Sequence, residues 1–325
     1  MRRNNLTLLV SGFAFVLISM VLSLLLGSVR IKPSMLFISL LKGERTTETS
    51  IFIYSRLPRT LAALSSGFAL SLSGAVLQSV LGNRLAAPGI IGVNSGAGLM
   101  VVVAFVLGAI SPWTISISAF CGALVSSLFV VVLSRKIRAG RSTLLLAGVS
   151  LNYIFGALGD VFCTLYPKET AMSGDFKVGG FSSVSMARLI PAVALIVVSS
   201  IITLSFSKDL DVLSLGDDEA SSLGMNTKKM RLVFIVLSSI LAGAAVSFAG
   251  LMGFVGLLIP NGVRWITKGD SSYYLILSAI YGAGFVTICD TLSRFVFAPY
   301  EVPVGVILAL IGGPVFLLMV IRGKR

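Results

Sequence analysis

Long uncharged runs alternate with short polar connections along the whole chain. The first run, Leu6–Ser28, is longer than the roughly 7–15 residues of a signal-peptide core, so it reads as a retained helix. Thr60–Asn83 is a second run. Leu85–Ser134 is interrupted by "SPW" at Ser111–Trp113 and holds two helices. Ser142–Gly159 continues past Asp160 to about Tyr166. Leu189–Ser207 follows, then Leu232–Val263, Ser271–Cys289 and Val302–Ile321. A crossing helix needs about 20 apolar residues. Leu232–Val263 is too long for one span and is broken at "AGLMG" (Ala249–Gly253), which predicts a short eighth helix from about Phe254 to Thr267.

The pattern therefore predicts nine or ten spans, and charge decides between them. Cytoplasmic loops carry an excess of Lys and Arg. The "MRR" start and the "RGKR" end then belong on the same side, and the count is even. Ten spans result, with both termini cytoplasmic. Arg135, Lys136, Arg138 and Arg141 crowd one short connection on that side. Arg56, Arg59 and Arg294 fall on the opposite side, where this bias does not explain them. Arg56 and Arg59 also open a helix, facing the positive end of its dipole.

Composition agrees. Of 325 residues 56% are hydrophobic and 12% charged, against about 25% charged in a soluble domain. The net charge of +13 reads as topology-fixing loops, with no role in binding nucleic acid. There is no histidine, so the commonest transition-metal ligand is missing. Cys121, Cys163 and Cys289 lie in apolar runs and read as small buried hydrophobes. No P-loop of the form G-x-x-x-x-G-K-[ST] is present, and no residue is a catalytic candidate.

Within the spans, Ala63, Gly67, Ser71, Ala75 and Ser79 form a ridge of small residues that predicts close helix packing. Asp290 and Arg294 share one helix face in the favourable order, as a structural ion pair would. No relay of intramembrane acids runs along a helix, which counts against a proton-coupled carrier. In the connection Ser207–Arg231, Asp217, Asp218 and Glu219 suit the first turn of a short helix, and Gly224 suits its end. Leu213, Leu215, Ala220, Leu223 and Met225 are apolar although the connection lies outside the bilayer. So short a helix is marginal alone and docks on its own bundle or in a partner's groove.

The stretch Arg56–Gly98, "RLPRTLAALSSGFALSLSGAVLQSVLGNRLAAPGIIGVNSGAG", resembles the signature of permease subunits of ABC importers for iron chelates and cobalamin. "LSLGDDEASSLGM" resembles that family's coupling region. "GLMGFVGLLIPNGVR" resembles its turn into the eighth span, and "CDTLSRFVFAPYEVPVGVILALIGGPVFLLM" its last two helices. Three positions depart from the family pattern. Arg84 stands for a proline, Asn261 stands for a histidine, and the segment after the fifth span lacks tryptophans.

The resemblance implies an all-α integral membrane protein, one domain over residues 1–325, built as the ten-helix bundle of a type II ABC importer. It implies pairing with a second permease, two cytoplasmic ATPases carrying the hydrolysis, and an external binding protein delivering a siderophore, haem or cobalamin. No cofactor is implied. Arg56, Arg59 and Arg294 match positions that pair with acids of the binding protein; lipid headgroups or local ion pairs are the competing readings. Leu215, Gly216, Ala220, Leu223 and Gly224 match the helices that seat in the ATPase. Asn83 and Leu85 match the inner gate, where an ordinary helix terminus is the competing reading, and Gln78 is a candidate for the pathway.

Overall fold

The computed structural model describes residues 2–29, 46–136, 141–267 and 270–322. Arg138, Lys324 and Arg325, three of the expected topology markers, lie outside them. Among the described residues the secondary structure is helical throughout, with no strand.

Among the described residues fourteen helices follow in order: α1 Arg2–Leu25, α2 Thr47–Leu81, α3 Val93–Val106, α4 Pro112–Lys136, α5 Arg141–Leu165, α6 Pro167–Thr170 and α7 Ser173–Val178. Then come α8 Met186–Ser205, α9 Ser207–Leu215, α10 Asp217–Ser222, α11 Thr227–Ala249, α12 Val255–Ile266, α13 Ser271–Phe295 and α14 Val304–Arg322. Seven of them (α1, α2, α4, α5, α8, α11 and α13) are long and apolar enough to cross a membrane. The shorter apolar α3 and α14, with the half-length α12, complete the ten-span pattern.

The uncharged runs fixed the spans well, because a charge in hydrocarbon is costly wherever it falls. The break in Leu85–Ser134 lies at Leu107–Ser111 and overlaps the expected tripeptide at Ser111. The turn after α11 uses Gly250 and Phe254, both with positive φ, so α12 re-enters the bundle without a long loop.

The second span differs from expectation. It begins at Thr47, well before Thr60, and passes through a π-helical turn at Phe52–Arg56. Pro58 has no N–H and its ring crowds the carbonyl four residues back. The wide turn, in which the Leu57 N–H reaches the Phe52 carbonyl, absorbs that conflict inside a continuous rod. Thr46 closes the start as a capping box with Thr49.

α2 is the central post. It is buried along most of its length against α13, α11 and α12. A Cβ on Gly67 would land on the Gly282 carbonyl of α13, and one on Gly74 on the Gly256 carbonyl of α12. The small-residue ridge is thus a packing surface, with backbones in contact as lipid-embedded helices favour. By contrast, α1 packs mainly on α13 and turns most of its surface outward.

Candidate functional site

Two polar clusters lie at opposite ends of α2. At the Arg56 end, three arginines and two acids interlock. Arg56 is 4% exposed and donates to the carbonyls of Leu24 (2.6 Å), Leu25 (2.7 Å) and Val29. These belong to the last turn of α1 and the residues beyond it. A helix leaves its final carbonyls unpaired, and its C-terminal end favours a cation. Arg56 is therefore a cap for the neighbouring antiparallel helix. Because α2 starts at Thr47, Arg56 is also clear of the first turn of its own helix, where the dipole acts against it.

Arg59, 9% exposed, donates through Nε to Asp290 Oδ1 (3.0 Å) and through Nη1 to Glu301 Oε2 (2.6 Å). Arg294, 3% exposed, contacts Asp290 Oδ2 (3.1 Å) through Nη2 and donates to Ser23 Oγ (2.9 Å). Asp290 is completely buried and serves both arginines. The Asp290–Arg294 pair expected from spacing is present, and Arg59 joins it from another helix.

Glu301 lies in the connection between α13 and α14, with its side chain 34% exposed, and accepts from Ser28 Oγ (2.8 Å) as well. Burial alone would raise its pKa; the Arg59 guanidinium and the Ser28 hydroxyl outweigh this and hold it below the ordinary carboxylate value. Three cations against two anions leave this cluster one positive charge in surplus. Beside it the chain exposes Phe295, Val296, Phe297 and Tyr300.

At the other end, α9 and α10 form a compact pair. Leu210, Leu213 and Ala220 are buried in the bundle, while Leu215 is 62% and Leu223 68% exposed. The pair thus docks on its own bundle and keeps two leucines free. Gly216 and Gly224 adopt positive φ at the joints, which L side chains rarely tolerate. Ser271 N–H donates to Asp211 Oδ1 (2.8 Å) and Ser272 Oγ to Ser207 Oγ (2.7 Å), tying α9 to the start of α13. Arg231 and Asp217 bridge α11 to α10 at 2.5 Å.

Next to this pair lies the turn after α2. Asn83 Oδ1 accepts from the Leu85 N–H (2.8 Å), and the Leu85 side chain is exposed. Gln78 is buried and spends its amide on α12 and α13: Nε2 faces the Gly256 and Leu257 carbonyls, and Oε1 accepts from the Tyr274 hydroxyl (3.2 Å). Asn261 Nδ2 donates to the Arg84 carbonyl (2.8 Å). Two of the positions that depart from the expected pattern therefore touch each other. The longer-range partners Tyr274, Arg264 and Asp211 carried no signal in the sequence, because nothing local marks which loops meet. A cluster of His, Cys, Asp and Glu able to hold a metal is absent among the described residues.

The chain is similar to known transporters over nearly its full length. It is 36% identical over 321 residues to the hemin transport system permease protein HmuU of Yersinia pestis, covering 96% of this chain and 95% of that one. The vitamin B12 import system permease protein BtuC of Citrobacter koseri is 34% identical, with 100% and 97% covered. A solved inward-facing structure of a metal-chelate type ABC transporter superposes with a TM-score of 0.85 at 28% identity, covering 97% of this chain and 99% of that chain. Residues 15–322 match the FecCD transport family. With that match and a bundle of membrane-spanning helices, the chain belongs to the FecCD transport family as a membrane permease.

Proposed function

We propose that the chain is the transmembrane subunit of an ATP-driven importer that carries a ferric chelate, a siderophore or haem, into a bacterial cell by alternating access. It works as a multi-pass protein of the cell membrane with both termini cytoplasmic. Hydrolysis resides on a cytoplasmic ABC ATPase dimer. A second permease subunit, of the same or related sequence, completes the pathway, and an extracellular or periplasmic binding protein supplies the substrate. The single observation that carries this reading is the α9–α10 pair. It presents two exposed leucines from a rigid, bundle-docked base, as a lever seated in a partner's cleft requires. Leu215, Gly216, Ala220, Leu223 and Gly224 are its coupling residues. ATP shifts transport only by binding one conformation of the complex better than the other. The lever gives that preference a mechanical path to α13 and α2.

The Arg56 end faces outward in this reading and receives the binding protein. The surplus positive charge and the exposed Phe295–Tyr300 stretch support it. Arg56, Arg59 and Arg294 already hold partners in the chain, so their docking role acts through the field of the cluster and through Arg59, whose second partner Glu301 is accessible. Asn83 and Leu85 form the inner gate, with Gln78 behind them. The hemin relative favours an iron chelate; the vitamin B12 relative favours cobalamin as the second reading.

Copurification decides the class. A P-loop ATPase should accompany the chain, and Leu223→Asp should detach or uncouple it. If no ATPase comes down and the chain alone moves chelate in vesicles, the reading fails. Uptake of a chelate panel by the reconstituted complex names the substrate.

A further inference from the structure

A polar cavity of about 320 Å³ opens between the end of α2, α9, the end of α12 and the start of α13. Leu81 is the last residue of one candidate membrane-spanning helix and Ser271 the first of another, so the cavity lies at the ends of two spanning helices. Its wall contains Asn83, Arg84, Asp211, Arg264, Ser271 and Tyr274.

The hydrogen-bond inventory of this wall is lopsided. Arg264 lies over the Tyr274 ring, its guanidinium carbon 4.6 Å from the ring centre. Its Nε is buried without a hydrogen-bond partner, its Nη2 lies 3.4 Å from Ser79 Oγ, and its guanidinium also interacts with the Tyr274 hydroxyl. Arg84 is exposed and makes no ion pair or side-chain hydrogen bond with the described residues. Asn83 spends its oxygen on the Leu85 N–H, which leaves the two donors of its amide. Against these donors stands Asp211, with one oxygen already taken by the Ser271 N–H. The hydroxyls do not redress the balance in favour of a cation: Ser79 and Thr267 donate to carbonyls of their own helices. Two arginines against one aspartate leave one positive charge in surplus.

A cation in the last turn of α12 is favourable to the helix by itself. That accounts for where Arg264 stands on its helix. It does not explain the second arginine across the cavity. A wall with spare donors and a surplus positive charge is satisfied by an acceptor-only ligand. The planar forks of arginine match tetrahedral oxyanions, and stacking on Tyr274 fixes one of them in orientation.

We infer that this cavity is an oxyanion site for a phosphate group, held between Arg84 and Arg264 at the membrane surface. The phosphate comes from a phospholipid headgroup or from free phosphate; both present the same oxygens. The site borders the proposed coupling pair through α9 and the proposed gate through Asn83 and Gln78, but it is argued from its own charge balance and not from those roles.

The test uses the full chain purified in detergent. Trp265 follows Arg264 directly, and the chain has only one other tryptophan, Trp113. In a Trp113→Phe background the fluorescence of Trp265 reports on the cavity. One arm titrates inorganic phosphate at fixed ionic strength. The other transfers the protein into phosphatidylcholine vesicles with or without phosphatidic acid, and counts phospholipids retained in detergent by native mass spectrometry. A saturable response to inorganic phosphate assigns the free ion. A retained phospholipid with a response to phosphatidic acid alone assigns the headgroup. In either case Arg264→Gln and Arg84→Gln each weaken binding about tenfold or more. Arg84 is exposed, so its variant folds even if the other does not. The inference is overturned if neither arm saturates, or if both variants bind as the parent does. It is equally overturned if the cavity responds only when the ATPase is bound, which assigns the spare donors to a carboxylate of that partner.

Discussion

Replacing Asp290 by alanine tests the Arg56-end cluster most directly. Asp290 is fully buried and is the shared counter-charge of Arg59 and Arg294. Without it, Arg59 keeps only Glu301, and Arg294 keeps only the Ser23 hydroxyl and carbonyls. Removing one partner of a buried pair costs about 3–5 kcal/mol, because the remaining charge is left desolvated. That lowers the folded-to-unfolded ratio by two to more than three orders of magnitude. Glu301→Ala removes a partner that is about a third exposed, so solvent screening holds its cost to about 0–1 kcal/mol. The measurement is denaturant unfolding of the purified chain in one detergent, with all variants side by side. An Asp290→Leu/Arg294→Met double variant should regain the part of the loss that belongs to Arg294, since apolar groups of similar size replace buried ion pairs at little cost, while Arg59 still keeps only Glu301. The reasoning is wrong if Asp290→Ala stays within about 1 kcal/mol of the parent, or if Glu301→Ala costs as much.

Three further outcomes follow from the same geometry. Gly74→Ala drives a methyl onto the Gly256 carbonyl, and backbone shifts of that kind cost about 1–3 kcal/mol or more; the loss of unfolding midpoint should exceed that of Gly313→Ala, where the added methyl meets nothing. Glu301 has a depressed pKa when folded, so its stabilisation is present above the ordinary value of 4.5 and disappears as pH falls through the folded value; the stability gap between parent and Glu301→Gln should close in acid and stay constant near neutrality. On the docking assignment, Glu301→Gln frees Arg59 Nη1, so the binding protein should associate more tightly in a salt-sensitive way, and an unchanged affinity would remove Arg59 from that interface.

Local physics was legible in the chain, and encounters between distant segments were not. The spans followed from desolvation of charge, and the Asp290–Arg294 pair from helix periodicity. The α11–α12 break followed from glycine spacing. The extension of α2 back to Thr47 was hidden, because Thr46–Ser50 is polar and Pro58 looked like a helix start. α9 was hidden likewise, since lysine and aspartate mask its buried Leu210 and Leu213. Arg56 and Arg59 were conspicuous as residues on the wrong side and at the wrong helix end. The carbonyls and acids that explain them lie 27 or more residues away, and no spacing rule reaches that far. The cavity near Arg264 is assembled from four elements, and of its wall only the α2-end residues Gln78, Ser79, Asn83 and Arg84 had been singled out.

The cap that Arg56 and Arg294 place on α1 also sets an order of biogenesis. α1 leaves the ribosome before α2 and α13, yet its last carbonyls wait for an arginine of α2, and Ser23 waits for one 271 residues downstream. Until then its final turn has water and headgroups as its partners. A segment inserted before α13 is thus locked only after it, and a nascent chain stalled before α13 holds an α1 that is threaded across the bilayer but not yet fastened.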